Sequence, residues 1–151
     1  MGKIHIKLEP GEIVEIKTEA GLRYVQVTHR HTSYPEVVRA IKGLYATRPD
    51  LAELSRAETA FTALCPVSDI LGSGNMDAEA IGRVHLPEHA TAFPTFRTPI
   101  RDRHGDVVYW WFWDGEGLRF DANPGAETDD WPQREVIGAR ELLSRLSEIR
   151  S

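Results

Sequence analysis

The sequence predicts an α+β fold: a mostly antiparallel, curved β-sheet or small half-open barrel, with a short helix near 50–58 and a C-terminal helix near 139–150. Three observations predict it. Short runs rich in Val, Ile, Tyr and Trp recur between turns that carry Gly, Pro and Asp, which is the pattern of many short strands. Two stretches, Leu51 to Glu58 and Ala139 to Arg150, read as helices from the spacing of their apolar residues. The 151 residues are the size of one ordinary domain, with no internal repeat and no linker long enough to divide them, so a single domain over 1–151 is expected.

Taken in order, Ile4, Ile6 and Leu8 alternate with His5, Lys7 and Glu9, a strand pattern. Glu12 to Lys17 and Leu22 to Arg30 form a hairpin about the turn Thr18-Glu19-Ala20-Gly21. Glu36 to Gly43 reads as a third strand, because Val37, Val38 and Ile41 favour a pleated surface, although the spacing also permits a short helix. Leu51 to Glu58 is a helix introduced by Pro49 and Asp50, with Pro49 suited to a first helical position. Thr59 to Cys65 is a strand ended by Pro66, Val67 to Leu71 is at most a turn of helix, and Gly72-Ser73-Gly74-Asn75 is a loop. Ala80 to Leu86 is a further strand.

Phe96 to Phe120 reads as a three-stranded meander. Thr95 to Arg101 turns at Asp102–Asp106, Val107 to Trp113 follows, and Asp114-Gly115-Glu116-Gly117 leads into Leu118 to Phe120. A loop rich in Asp, Asn and Pro runs to Pro132. In Ala139 to Arg150, Leu142, Leu143, Leu146 and Ile149 form one apolar stripe to lay against the sheet.

No apolar run is long enough to span a membrane, and the N-terminus lacks the apolar stretch of a secretory signal, so the expected compartment is the cytoplasm. Gly2 is followed at position 6 by Ile, where a myristoylation motif wants Ser or Thr. The single cysteine, Cys65, lies among Ala63, Leu64 and Pro66 with no activating base and reads as an inert thiol. The net charge of −5 is concentrated: Asp114, Glu116, Asp121, Glu127, Asp129, Asp130 and Glu135 face only Arg119 and Arg134, while the rest of the chain balances. Nucleic acid is therefore not an expected partner, since phosphate contacts need a cationic surface. A basic protein is.

Tyr109-Trp110-Trp111-Phe112-Trp113 carries the chief candidate site. Period 2 sets Tyr109, Trp111 and Trp113 on one face and Val108, Trp110 and Phe112 on the other. Such a strand is either central and covered twice, or its Tyr109, Trp111 and Trp113 face lines a groove for a partner or ligand. With Asp114, Glu116, Glu127, Asp129 and Asp130 after it, the strand has the composition of an interface, aromatic anchors inside a charged rim. No phosphate loop, Gly-x-Ser-x-Gly elbow or His-Glu-x-x-His is present, so no catalytic residue is assigned and no cofactor is expected.

A second candidate is His29 and His31, two apart in a strand and so on one face. His29-x-His31-x4-Glu36-x6-Gly43 resembles the first motif of the cupins, which implies a β-barrel holding a metal for small-molecule chemistry, with His29, His31 and Glu36 as ligands; the second cupin motif, Pro-x-Gly-x-x-His, does not follow. The histidines also read as hydrogen-bonded or solvent-tipped residues that end a strand. Pro10-Gly11-Glu12-Ile13-Val14-Glu15-Ile16, then Tyr24-Val25-Gln26-Val27, and later Phe93-Pro94-Thr95-Phe96, resemble a family of small bacterial immunity proteins of polymorphic toxin systems. That resemblance implies an SH3-like or curved sheet and a cytoplasmic antidote that neutralises a toxin by covering it. A non-catalytic binding protein is the leading expectation, and a cupin-like enzyme or small-ligand binder is the alternative. The sequence leaves open a homodimer.

Overall fold

The computed structural model describes residues 6–149. The fold is α+β, with two antiparallel sheets and no closed barrel. The chain divides into two compact units: residues up to Thr91 together with those from Val136 onward, and Ala92–Glu135.

The first unit holds a five-stranded sheet. β1 (Glu12–Thr18) and β2 (Gly21–His29) form the expected hairpin, closed by Thr18, whose hydroxyl donates to the Gly21 carbonyl at 2.7 Å. β3 (Val37–Ile41) and β4 (Thr59–Leu64) extend it as a meander, and β5 (Ala78–Arg83) pairs on the far side of β1. The order β4-β3-β2-β1-β5 makes β4 and β5 the outer strands, and at the end of β4 the Leu64 carbonyl accepts from Ile137 N–H at 2.9 Å. Register shifts in the β1–β5, β2–β3 and β3–β4 pairings, where Ile81, Thr28 and Ala60 are the extra residues, mark bulges, the feature that bends and twists a sheet.

Each face of this sheet is covered. On one, Val14, Val25, Val27 and Val38 meet Leu142 and Leu146 of α3 (Ala139–Ser147) and Val67 of α2 (Val67–Ser73). Each such side chain, once buried, contributes about 1.5–3 kcal/mol. On the other face Ile13, Tyr24 and Ile41 meet Leu54 of α1 (Leu51–Arg56).

That second face also buries polar residues. Arg39, with no exposed surface, donates from Nε to the Gln26 side-chain oxygen (2.8 Å) and from its terminal nitrogens to the Leu54 and Ala57 carbonyls (2.9 Å each). These carbonyls close α1, where a helix presents its negative pole. Burial lowers the Arg39 pKa to about 10, which leaves it a cation at neutral pH. Gln26 in turn donates to the carbonyls of Gly11 and Val84 at 3.1 Å. Glu15, also buried, accepts from Tyr24 Oη (2.7 Å) and from Arg48 Nε (2.8 Å).

Several expectations are corrected. Residues 1–5 of the proposed first strand lie outside the described residues, and 6–9 are not a strand: Leu8 is buried, and its N–H donates to the Ser68 hydroxyl rather than to a neighbouring strand. α2 is longer than one turn, because Ser68 N–H is accepted by Glu36 at its start and Gly74, at φ +71°, caps its end. β5 begins two residues earlier than expected and stops at Arg83, where Val84 N–H bonds the Gly11 carbonyl. In α1 the N-cap is Asp50, so Pro49 lies outside the helix rather than at its first position, and the helix ends at Arg56 rather than Glu58; α3 ends at Ser147.

The second unit is the expected three-stranded meander: β6 (Phe96–Arg101), β7 (Val107–Trp113) and β8 (Leu118–Asp121), in the order β6-β7-β8. Asp102 builds its first turn, its Oδ1 accepting from the N–H groups of His104 (2.8 Å) and Asp106 (3.1 Å).

Candidate functional site

The aromatic strand β7 is the middle strand of its sheet, and antiparallel register states which side chains share its faces. Trp111 stands between Thr98 and Phe120, and Trp113 between Phe96 and Leu118. Tyr109, Trp111, Trp113, Leu118 and Phe120 therefore lie on one face.

The two ends of that face differ. At the β7–β8 turn, Trp113 is only 7% exposed, with its ring 5.5 Å from Phe93 and 5.7 Å from Phe96, centroid to centroid. Gly115 makes room for this packing: at φ +96° it takes a conformation that side chains resist, and a Cβ there would stand 2.9 Å from the Phe93 ring. Away from the turn the face opens. Trp111 is 37% exposed and Phe120 74%, and the Tyr109 and Phe120 rings sit 5.8 Å apart; Leu118, opposite Trp113 at the turn, is 53% exposed.

The opposite face binds its cations to its rings. Phe112 is buried with Trp131 edge-on at 5.3 Å, Arg119 lies 4.6 Å over Phe112, and Arg97 lies 4.7 Å over Trp110.

The acidic residues are all exposed. Asp114 and Glu116 occupy the β7–β8 turn next to Leu118, and Asp121 ends β8. Asp114 Oδ1 accepts from the Gly117 (3.0 Å) and Glu116 (2.9 Å) N–H groups, and these bonds hold its carboxyl below the usual range, so it stays anionic. Glu127, Asp129 and Asp130 belong to the segment that carries Trp131, whose ring packs on the Phe112 face. The structure thus places Tyr109 and Trp111 on the part of the face away from the turn, sets Trp113 in the packed end beside the turn that carries Asp114 and Glu116, and puts Glu127, Asp129 and Asp130 in the segment leading to Trp131, which packs on the other face. Leu118, Arg119 and Phe120 escaped selection as site residues. Their signal was the alternation Leu118-Arg119-Phe120-Asp121, apolar on one face and charged on the other.

The histidine pair does not converge on Glu36. His29 Nδ1 lies 2.9 Å from the Thr28 hydroxyl and Nε2 2.9 Å from the Thr91 carbonyl, so both ring nitrogens are engaged. His31 lies past the end of β2, where its Nδ1 accepts from Ser33 N–H at 3.0 Å, while Glu36 is turned to α2. Among the described residues no group of three His, Cys, Asp or Glu is placed to hold a metal. The Cys65 thiol is buried in the core, and burial pushes its pKa up to about 12. In the first unit a recess of about 540 Å³ is lined by Pro10, Gly11 and Arg83 to Leu86. No helix among the described residues is long and apolar enough to cross a membrane.

Comparison with protein-family models, curated proteins and solved structures returned no match.

Proposed function

We propose that this chain is a non-catalytic binding protein whose second unit offers Trp111, Leu118 and Phe120, with Tyr109 beside them, to a basic protein partner. The observation that carries the reading is the 74% exposure of Phe120 on the same face as Trp111. A phenylalanine left in water forgoes about 2 kcal/mol that burial would supply, and clustered exposed apolar side chains with a polar rim are typical of contact surfaces. Asp114, Glu116 and Asp121 supply that rim. Arg97 and Arg119 are stacked on rings, and Glu127, Asp129 and Asp130 add to a negative field that steers a cationic partner. The resemblance of residues 10–27 and 93–96 to immunity proteins supports one form of this role, a cytoplasmic antidote that covers a basic toxin.

The test is capture. The protein is immobilised, a lysate of the producing cells is passed over it at low salt, and what elutes at high salt is identified by mass spectrometry. A basic protein should be retained by the native chain and lost from Trp111→Ser and Phe120→Ser variants that melt as folded proteins, with weaker, more salt-sensitive retention by a Glu127, Asp129, Asp130 triple-Ala variant. Equal retention by the two Ser variants, or no specific protein at all, would overturn the reading.

A further inference from the structure

We infer that β8 is a self-pairing edge, along which two copies of this chain join antiparallel, with Phe120 facing Phe120 of the second copy and Arg119 facing its Asp121. The inference goes beyond partner binding, which uses the face of the sheet, and concerns its edge.

The two edges of this sheet are treated differently. The outer side of β6 is occupied, since Arg97 N–H donates to the Pro132 carbonyl (2.9 Å) and the Arg97 carbonyl accepts from Arg134 N–H (2.8 Å). β8 pairs with β7 alone among the described residues, and all four of its residues are exposed. An unpaired edge can add a strand, which proteins discourage with proline, lysine and other charges, bulges or very short strands; the two charges of this four-residue edge are of opposite sign, so they can pair with those of a second copy. Leu118-Arg119-Phe120-Asp121 contains no proline or lysine, and its register against β7 is unbroken.

Symmetry then selects the register. Two copies meeting edge to edge in antiparallel fashion are related by a two-fold axis normal to the sheet, which keeps each face on its own side. Residues that face one another must therefore share a face, so the axis passes through a residue paired with itself. Centred on Arg119 or Asp121, the pairing sets like charges together, which is destabilising. Centred on Leu118, it brings Phe120 against Glu116. Centred on Phe120, it stacks Phe120 on its copy, sets Leu118 opposite Ala122, and places Arg119 opposite Asp121 twice.

Both charged groups suit this. The Arg119 guanidinium carbon lies 4.6 Å over the Phe112 ring, on the same face of the sheet as Asp121, and a guanidinium on a ring can still donate in its plane to a carboxylate. Asp121 uses Oδ1 to accept from Asn123 N–H (2.9 Å), which leaves Oδ2 for a second donor. The dimer has a continuous six-stranded sheet, and its two apolar faces meet at Phe120. So short an interface falls in the weak class, with dissociation expected in the range of ~10 to ~1,000 μM.

Sedimentation equilibrium across that range tests the inference. The native chain should show a monomer–dimer equilibrium that weakens with salt. Arg119→Asp and Asp121→Arg, taken separately, should each weaken it by about tenfold or more, because each sets like charges opposite. An equimolar mixture of the two variants should dimerise again, since every cross-pair is then complementary. Recovery on mixing also shows that both variants are folded. A native chain that stays monomeric throughout, association unaltered in either variant, or no recovery on mixing would overturn it.

Discussion

The guanidinium of Arg39 donates to the side-chain oxygen of Gln26 at 2.8 Å, and through this bond β3, β2 and the last turn of α1 are tied together inside the first unit. Among the described residues no carboxylate takes part in the bonds Arg39 makes there; its charge is balanced by carbonyl dipoles at the end of α1 and by the Gln26 amide.

Removing either member strands the other. Arg39→Ala leaves the Gln26 oxygen and the Ala57 carbonyl without the donor it supplies and the Leu54 carbonyl with the Ala57 N–H alone, and should cost about 3–5 kcal/mol. Arg39→Lys should recover only part of this, because an ammonium cannot reproduce the planar fork. Urea midpoints with an unchanged slope would check both, and a loss below about 1 kcal/mol for Arg39→Ala would contradict the network.

Glu15 predicts a pH dependence. The Arg48 hydrogen bond holds its carboxyl below the ordinary value of 4.5, with the Tyr24 hydroxyl acting in the same sense against the opposing effect of burial. The folded state therefore binds this proton later than the unfolded chain does. The stabilisation is fully present above the unfolded value and is lost as pH falls from there through the depressed folded value. The urea midpoint of native protein should exceed that of Glu15→Gln by a constant margin near neutrality, and the margin should shrink below about pH 4.5. A margin indifferent to pH would refute the assignment.

Trp113 and Phe120 share a face, and their substitutions should separate. Trp113→Ala empties the space between Phe93 and Phe96 and should cost about 3–5 kcal/mol. Phe120→Ser, at an exposed edge, should alter stability by no more than about 0.5 kcal/mol. Thermal and urea melts of the two variants check this directly.

Much of this fold was legible because its strands announce their ends. Thr18 to Gly21, Asp102 to Asp106 and Asp114 to Gly117 carry the residues that turns need, and the hairpins they close are those observed. α2 was underestimated because what sustains it comes from elsewhere: Glu36, 32 residues before Ser68, accepts the N–H that a short helix leaves unsatisfied. In the candidate site, alternation showed that Tyr109, Trp111 and Trp113 share a face but not which of them is buried. That depends on Phe93 and on a positive φ at Gly115, neither of which is encoded in the strand. Arg39, in Val37-Val38-Arg39-Ala40-Ile41, was a visible exception to an apolar run, and its partners on α1 are set by tertiary packing.

Hydrogen exchange of the chain with and without its captured partner shows whether the Trp111, Leu118 and Phe120 face is the contact surface we propose. New protection is expected in peptides covering Val107–Trp113 and Leu118–Asp121, with the five-stranded sheet of the first unit unchanged. Protection confined to β1–β5, with none in β7 or β8, would contradict it.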